Sequence, residues 1–436
     1  MRPRWRCRPV WPAARPAVVA LLVLLVTFGV PSGLPPATLD WRLAQITRAQ
    51  SFDLWSWEIS TLFRRSAGAV IAPPSAANGP ALARVYVQLS QRAARERAER
   101  DDIWTRATID GAAGGENPQL VRAEQMLDRT EAELNHLRPG VEGVLSAEIE
   151  DELRRQQIWP GLTIAGLSGA PPFLRLSIVP GVFFQLGPLP DLLVIAPRDR
   201  IALIGSVLIR PGLPPAQIDR IERQADALDV SSVVTGIGGL AAYPSLVPDE
   251  GSVRDLLVTV AHEWTHHYLA LRPLGQAYFD SYDMREINET VADIVGEEVG
   301  TAVYRRFYER EDRQEVSAVT SVQPADPGRP DFWTLMRRVR RAVEGYLARG
   351  DVSGAEAYMA NAQRELARQG YFIRRLNTAY LAFFGSYAAM ANPFEAKLRQ
   401  LRAQTGSLAA FLDTVSQVRR PEDLDRLLSE TRGRPS

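Results

Sequence analysis

The stretch VAHEWTHHYLALRPLG, which begins at Val260, holds three of the four histidines of a 436-residue chain. Within it His262, Glu263 and His266 spell H-E-x-x-H. On a helix, side chains four positions apart share a face, so both imidazoles can reach one ion. Glu263 is one step from His262 and projects beside that ion, where a carboxylate suits a general base acting on water. His267 is next to His266 but about 100° further round a helix. That makes it a neighbour of the site or a surface residue rather than a ligand. The one cysteine, Cys7, precedes all of this and can form neither an intrachain disulfide nor a cysteine cluster, so a metal would be held by His and carboxylates.

Two histidines leave an ion short of protein ligands, and a following helix can supply a third. The segment REINETVADIVGEE offers Glu289 and Asp293, four apart and so on one face. With Glu289 as the ligand, Asp293 is placed to accept the free N–H of a ligand histidine and fix its tautomer, and Asn288 can do similar work. Glu286 and Glu297 are rivals for the third position; Glu289 is preferred because it gives Asp293 a role. Two imidazoles, one carboxylate and an open position match catalytic zinc. An iron site of the same ligand types has no need of Glu263, and a structural zinc would want four protein ligands.

H-E-x-x-H followed 22 positions after His266 by N-E-x-x-A-D resembles the gluzincin, thermolysin-like zinc metallopeptidases. The resemblance spans about residues 260–297 and implies a zincin-like catalytic core that hydrolyses peptide bonds. It implies zinc on His262, His266 and Glu289, Glu263 as the general base, and Asp293 with Asn288 orienting the histidines. Members of that family often draw on a downstream Tyr or His to stabilise the oxyanion. No histidine follows His267, and the segment RRLNTAYLAFFGSYA offers Tyr380 and Tyr387, seven apart and on one helical face. The same segment is apolar enough to be core. In zincins an edge strand ahead of the first zinc helix commonly pairs with extended substrate. GGLAAYPSLV lies at a suitable distance, with Gly239 and Ala241 as candidate substrate contacts. It lacks the Gly-x-Met-Glu-Asn motif of the gluzincin aminopeptidases, which speaks against an aminopeptidase. The rival reading of the same residues is a catalytically inactive, zinc-binding scaffold on a peptidase-like fold; an intact Glu263 favours the enzyme.

The elements that must position these residues follow from apolar spacing. Ser252 and Asp255 form a capping-box pattern, and Leu256, Leu257, Val260, Ala261 and Trp264 give the helix behind the motif its buried face. Further helices are expected over 286–309, 332–348 and 354–401. Upstream, 39–65 and 81–106 read as helices, and Leu120, Leu127 and Leu134 recur every seven residues as the seam of a helical hairpin. From about Trp159 the texture turns to strands: FLRLSIVPGVFFQLG, DLLVIAPR, IALIGSVLIRP and SSVVTGIGGLAAYPSLV, with one helix, PAQIDRIERQADALD, carrying Pro215 in its first turn. GIGG leads into no P-loop Lys-Ser/Thr, so it is a strand or bulge rather than a phosphate loop. Strands followed by helices give an α+β fold. The expected organisation is 1–35 as a targeting segment, 36–157 helical, 158–250 β-rich and 251–436 a helical, zinc-binding part. His136 falls on a charged helix and is expected to be exposed.

Hydrophobic residues make up 46% and charged residues 23% of the chain, as in a soluble protein with a buried core. The 51 basic and 51 acidic residues cancel, which argues against a broad nucleic-acid surface. The N-terminus is the asymmetric part. Five arginines and no acid precede the uncharged run AVVALLVLLVTFGV, the pattern of a signal peptide or a single membrane anchor. Either places the rest of the chain outside the cytoplasm. A peptide or protein is the expected substrate; oligomeric state is not legible.

Overall fold

The computed structural model describes residues 38–58, 60–61, 78–109, 117–158, 181–237, 242, 244–310, 332–385 and 393–432. The expected targeting segment lies outside these residues. Among the described residues no helix is long and apolar enough to cross a membrane. The chain divides into two compact units, Met1–Ala49 and Gln50–Ser436. The first contributes α1 (Leu39–Thr47), capped by Thr38, whose side chain accepts the Trp41 N–H. The helix expected over 39–65 ends here. A turn follows, Ser51 is bridged to Ile209, and residues 54–58 and 60–61 are helical again.

The second unit opens with the expected hairpin, α2 (Gly79–Ile109) and α3 (Pro118–Arg155), which pack on each other. Leu127 and Leu134 of the seven-residue seam are buried along it, and His136 is exposed. Asn117 caps α3, accepting from Gln119 N and Leu120 N. The strands that follow are β1 (Phe184–Leu186), β2 (Asp191–Pro197) and β3 (Gly205–Ile209). Then come α4 (Pro215–Asp226), β4 (Val230–Gly236) and β5 (Ser245–Val247). They form two sheets: an antiparallel β3–β2–β4, and a parallel pair of β1 and β5 in register Phe184 to Ser245.

Both outer edges of the three-stranded sheet are closed. Along β3, Arg210 N–H donates to Gln50 O and Phe52 N–H to Leu208 O. Along β4 side chains stand in for a missing strand. Val234 N–H donates to Glu222 Oε1 at 2.6 Å and Ser232 N–H to Asp226 Oδ1 at 2.9 Å. Arg374 donates to Val234 O and Asn377 to Ser232 O. Unpaired edge groups are thereby satisfied without offering a template for another strand. Glu222 has no exposed surface and also pairs with Arg374, at 2.6 Å, and Arg375, so its buried charge is matched.

The helical half comprises α5 (Val253–Ala270), α6 (Pro273–Gln276) and α7 (Tyr282–Phe307), then α8 (Phe332–Leu347) and α9 (Val352–Arg368). It ends with α10 (Thr378–Gly385), α11 (Glu395–Gln404), α12 (Leu408–Val415) and α13 (Asp423–Arg432). The long helix expected over 354–401 is broken. After α9, Gly370 takes φ +79°, its N–H donates to Ala367 O, and Tyr371 N–H donates to Leu366 O, the paired bonds of a Schellman stop. An L side chain at that φ would be strained, which is why the helix ends at this residue.

One core joins the hairpin to the motif helices. Tyr86, Leu145 and Ile149 share it with Leu257, Val260, Val295, Val299 and Phe411, so the α2–α3 hairpin and the motif helices are packed on a common core. A second cluster lies under α8 and α9 with Val343, Met359 and Leu366. The architecture is mixed and mostly helical with small sheets, as the α+β reading expects.

Candidate metal centre

Helix α5 begins as its sequence demands. The Ser252 side chain accepts the Asp255 N–H while the Asp255 carboxylate accepts the Ser252 N–H, closing a capping box. Leu256, Leu257, Val260, Ala261 and Trp264 are buried, which fixes the helix rotation and leaves His262 and His266 together on another face. Helix α7 is capped by Ser281, which accepts from Met284 N–H, and buries Ile287, Val291, Val295 and Val299.

The two helices cross in close contact because α7 carries glycine at 296 and 300. A Cβ on Gly300 would stand 2.5 Å from Val258 N, and one on Gly296 would stand 2.8 Å from Val258 O and 3.0 Å from His262 Cβ. The G-x-x-x-G spacing therefore brings α7 onto the turn of α5 that precedes the motif. Four and seven residues before Gly300 and Gly296 on the same helix, it delivers Gly296 and Glu289 to His262.

His262 Nε2 and His266 Nε2 lie 3.1 Å apart, and Glu289 Oε2 is 3.5 Å from the first and 3.4 Å from the second. A tetrahedral ion with ligand bonds of about 2.0–2.1 Å would separate its ligand atoms by about 3.3 Å. The remaining ring nitrogens are committed. His266 Nδ1 lies 2.8 Å from Asn288 Oδ1, and His262 Nδ1 3.0 Å from Asp293 Oδ1. Both oxygens accept, so each Nδ1 carries the hydrogen and each Nε2 presents a lone pair. Asn288 is itself oriented by donating to Leu274 O. Two imidazole lone pairs and a carboxylate oxygen thus converge on one point, a donor set that fits a divalent cation. Burial disfavours the His262 cation, yet Asp293 and Glu289 together push its pKa up to about 9. Burial would raise Glu289, but bonds from His262, His266 and Tyr278 hold it well below the ordinary carboxylate range.

Glu263 sits beside this set. Burial raises its pKa, against the nearby His266 and His262, which lower it. His267 faces the other way. Its Nε2 is 3.0 Å from Ser245 Oγ and 3.2 Å from Ala242 O, and burial lowers its pKa to about 4. It is no part of the converging set, as expected, and it is half-buried.

The other candidates sort as follows. Glu297 is paired with Arg254 and is not in the set, and Glu286 is absent from it too. Tyr380 is not brought to the cluster. It packs with Phe384 and with the Val343 and Val194 core clusters, and burial alone raises its pKa to about 12. Tyr387, Gly239 and Ala241 lie outside the described residues. What is described of the expected substrate strand, Ser245–Val247, is a strand of buried residues paired on one side with β1.

The phenol at this site is Tyr278, which the sequence reading missed. Its hydroxyl donates to Glu289 Oε1 at 2.6 Å and its ring meets His266 edge-on at 6.2 Å. Burial first, and the Glu289 charge second, raise its pKa, so it stays a donor at neutral pH. The available signal was position: a tyrosine in the short connection between the two motif helices has little room to go elsewhere. No family model, no curated protein and no solved structure matches this chain.

Proposed function

We propose that the chain is a zinc-dependent peptidase of the gluzincin kind, built on a zincin-like core. The observation that carries this reading is the convergence of His262, His266 and Glu289 at tetrahedral separations with a buried Glu263 beside them. The crossing of α5 and α7, each contributing to the set, supports the zincin-like arrangement. A zinc ion bound there supplies Lewis acidity, lowering the pKa of water and polarising a carbonyl. Glu263 takes the proton from the attacking water and passes it to the leaving amine, and burial brings its pKa towards that task. Tyr278 spends its one O–H hydrogen on Glu289 Oε1, which fixes that carboxylate and turns its other oxygen to the converging set. Asp293 and Asn288 keep the imidazoles in the tautomer that leaves Nε2 unprotonated. The substrate is a peptide or protein, met outside the cytoplasm, where the arginine-flanked N-terminal run would send or anchor the chain.

The test separates binding from chemistry. Elemental analysis of the purified protein is expected to find about one zinc per chain, lost in His262→Ala and Glu289→Ala. Glu263→Gln keeps the zinc and abolishes cleavage of a quenched peptide library. Metal retained in all three variants would sink the assignment. Zinc bound as expected, with no cleavage by the wild type, would favour a zinc-binding scaffold.

A further inference from the structure

The third histidine of the motif helix has a partner set of its own. His267 Nε2 stands within hydrogen-bonding distance of two oxygens, Ala242 O at 3.2 Å and Ser245 Oγ at 3.0 Å. A carbonyl can only accept, so Nε2 must carry the hydrogen. Ser245 Oγ is then an acceptor towards His267, and its own hydrogen is left to donate elsewhere. Ser245 has no exposed surface, so that hydrogen needs an acceptor inside the protein. Glu263 stands four residues before His267 and so on the same face of α5, the face that Ser245 meets, and the Ser245 hydroxyl lowers its pKa against burial. Strand β5 brings Ser245 here: it packs on α5 and is held in register with β1 by the Phe184 to Ser245 pairing.

We infer that His267 and Ser245 are positioning residues, a relay in which the His267 Nε2–H fixes the Ser245 hydroxyl so that its hydrogen points at Glu263. The inference rests on Glu263 being the general base. A carboxylate on a flexible stem, next to a metal site and largely buried, has several rotamers open to it. A donor of fixed direction occupies one carboxylate oxygen and leaves the other for the site. It also explains the crowding of histidines: two ligate, and the third braces the base through a strand on the opposite flank. His267 touches neither the converging set nor substrate, and it acts only through Ser245.

The first test uses the full zinc-loaded chain and a quenched peptide library. Ser245→Ala is expected to keep its zinc and its KM while kcat falls about 10- to 100-fold. Ser245→Thr, which restores a hydroxyl, recovers most of kcat, and His267→Gln, which keeps an N–H, loses less than His267→Ala. An unchanged kcat in Ser245→Ala, or a loss that tracks lost zinc, overturns the relay.

A second measurement needs no substrate and so separates this inference from the peptidase reading. With four histidines in the chain, selective 15N-histidine labelling gives a spectrum simple enough to assign His267 Nε2–H by its loss in His267→Gln. That signal is expected to be present in the wild type, and to shift both in Ser245→Ala and in Glu263→Gln. An Nε2 without its hydrogen, or a signal indifferent to Glu263→Gln, rejects the relay even if the enzyme cleaves peptides. A shifting signal with no cleavage upholds the relay and leaves only the hydrolytic reading to fail.

Discussion

At the scale of single residues, the converging set depends on neighbours that never face the ion. Asn288 is almost fully buried and holds the His266 Nδ1–H; Tyr278 holds the outer oxygen of Glu289. Removing such partners leaves ligand atoms in place but loosely oriented, and typically costs 10- to 100-fold in affinity. Asn288→Ala is therefore expected to weaken zinc binding by about that range, and Tyr278→Phe by about tenfold. Competition against a chromophoric chelator measures both. Affinities equal to the wild type would mean that the imidazoles and Glu289 are held by packing alone.

At the scale of elements, the site is a property of how α5 and α7 cross. Each helix is well specified by its own cap and apolar face. Their separation is set by Gly300 and Gly296, where the backbone of α5 occupies the space a side chain would need. Gly300→Val forces the helices apart, and overpacking of this kind costs about 1–3 kcal/mol. The expected outcome is a lower urea midpoint together with weakened zinc binding, although residue 300 touches no ligand. A variant that loses stability but binds zinc as tightly as the wild type would show that Glu289 is not positioned by this contact. The edge of β4 makes a similar point for the sheet. It is closed by Glu222, Asp226, Arg374 and Asn377, residues contributed by α4 and by the segment between α9 and α10.

At the scale of the molecule, the helical hairpin and the motif helices share one core, tied by polar bonds between distant segments. Tyr86 OH donates to Asp249 Oδ2 at 2.6 Å just ahead of α5, and Tyr308 OH donates to Glu148 Oε2 at 2.7 Å just behind α7. Glu148 is buried, and burial raises its pKa to about 7 against the opposing pull of Tyr308 and Arg306. Its folded pKa thus lies above the ordinary carboxylate value. Between those two values the native state keeps a proton that the unfolded chain has lost, so this group's contribution to stability falls as pH rises from about 5 to about 7. Denaturation at a series of pH values should show that slope, and Glu148→Gln, which stays neutral throughout, should flatten it. An identical pH dependence in wild type and Glu148→Gln would mean that Glu148 titrates normally in the fold. Because the core is continuous, loss of the hairpin and loss of the metal site are expected in one transition.

The sequence by itself determined what depends on local chemistry and short spacing. A period of four placed His262 with His266 and Glu289 with Asp293. Ser252 and Asp255 announced the cap of α5, the leucine repeat announced the hairpin, and Pro215 marked the start of α4. Spacing favoured Glu289 over Glu286 and Glu297, through the role it gave Asp293. Only the tertiary structure decided the rest, because each remaining question concerns which distant groups share a volume. Tyr380 and Tyr278 are both tyrosines near apolar residues; packing buried the first under α8 and α9 and set the second against Glu289. The long helix after 354 was broken by one glycine whose left-handed backbone no periodicity reveals. His267 looked like a bystander along the helix because its partners, Ala242 and Ser245, lie on another segment that reaches it only through the fold.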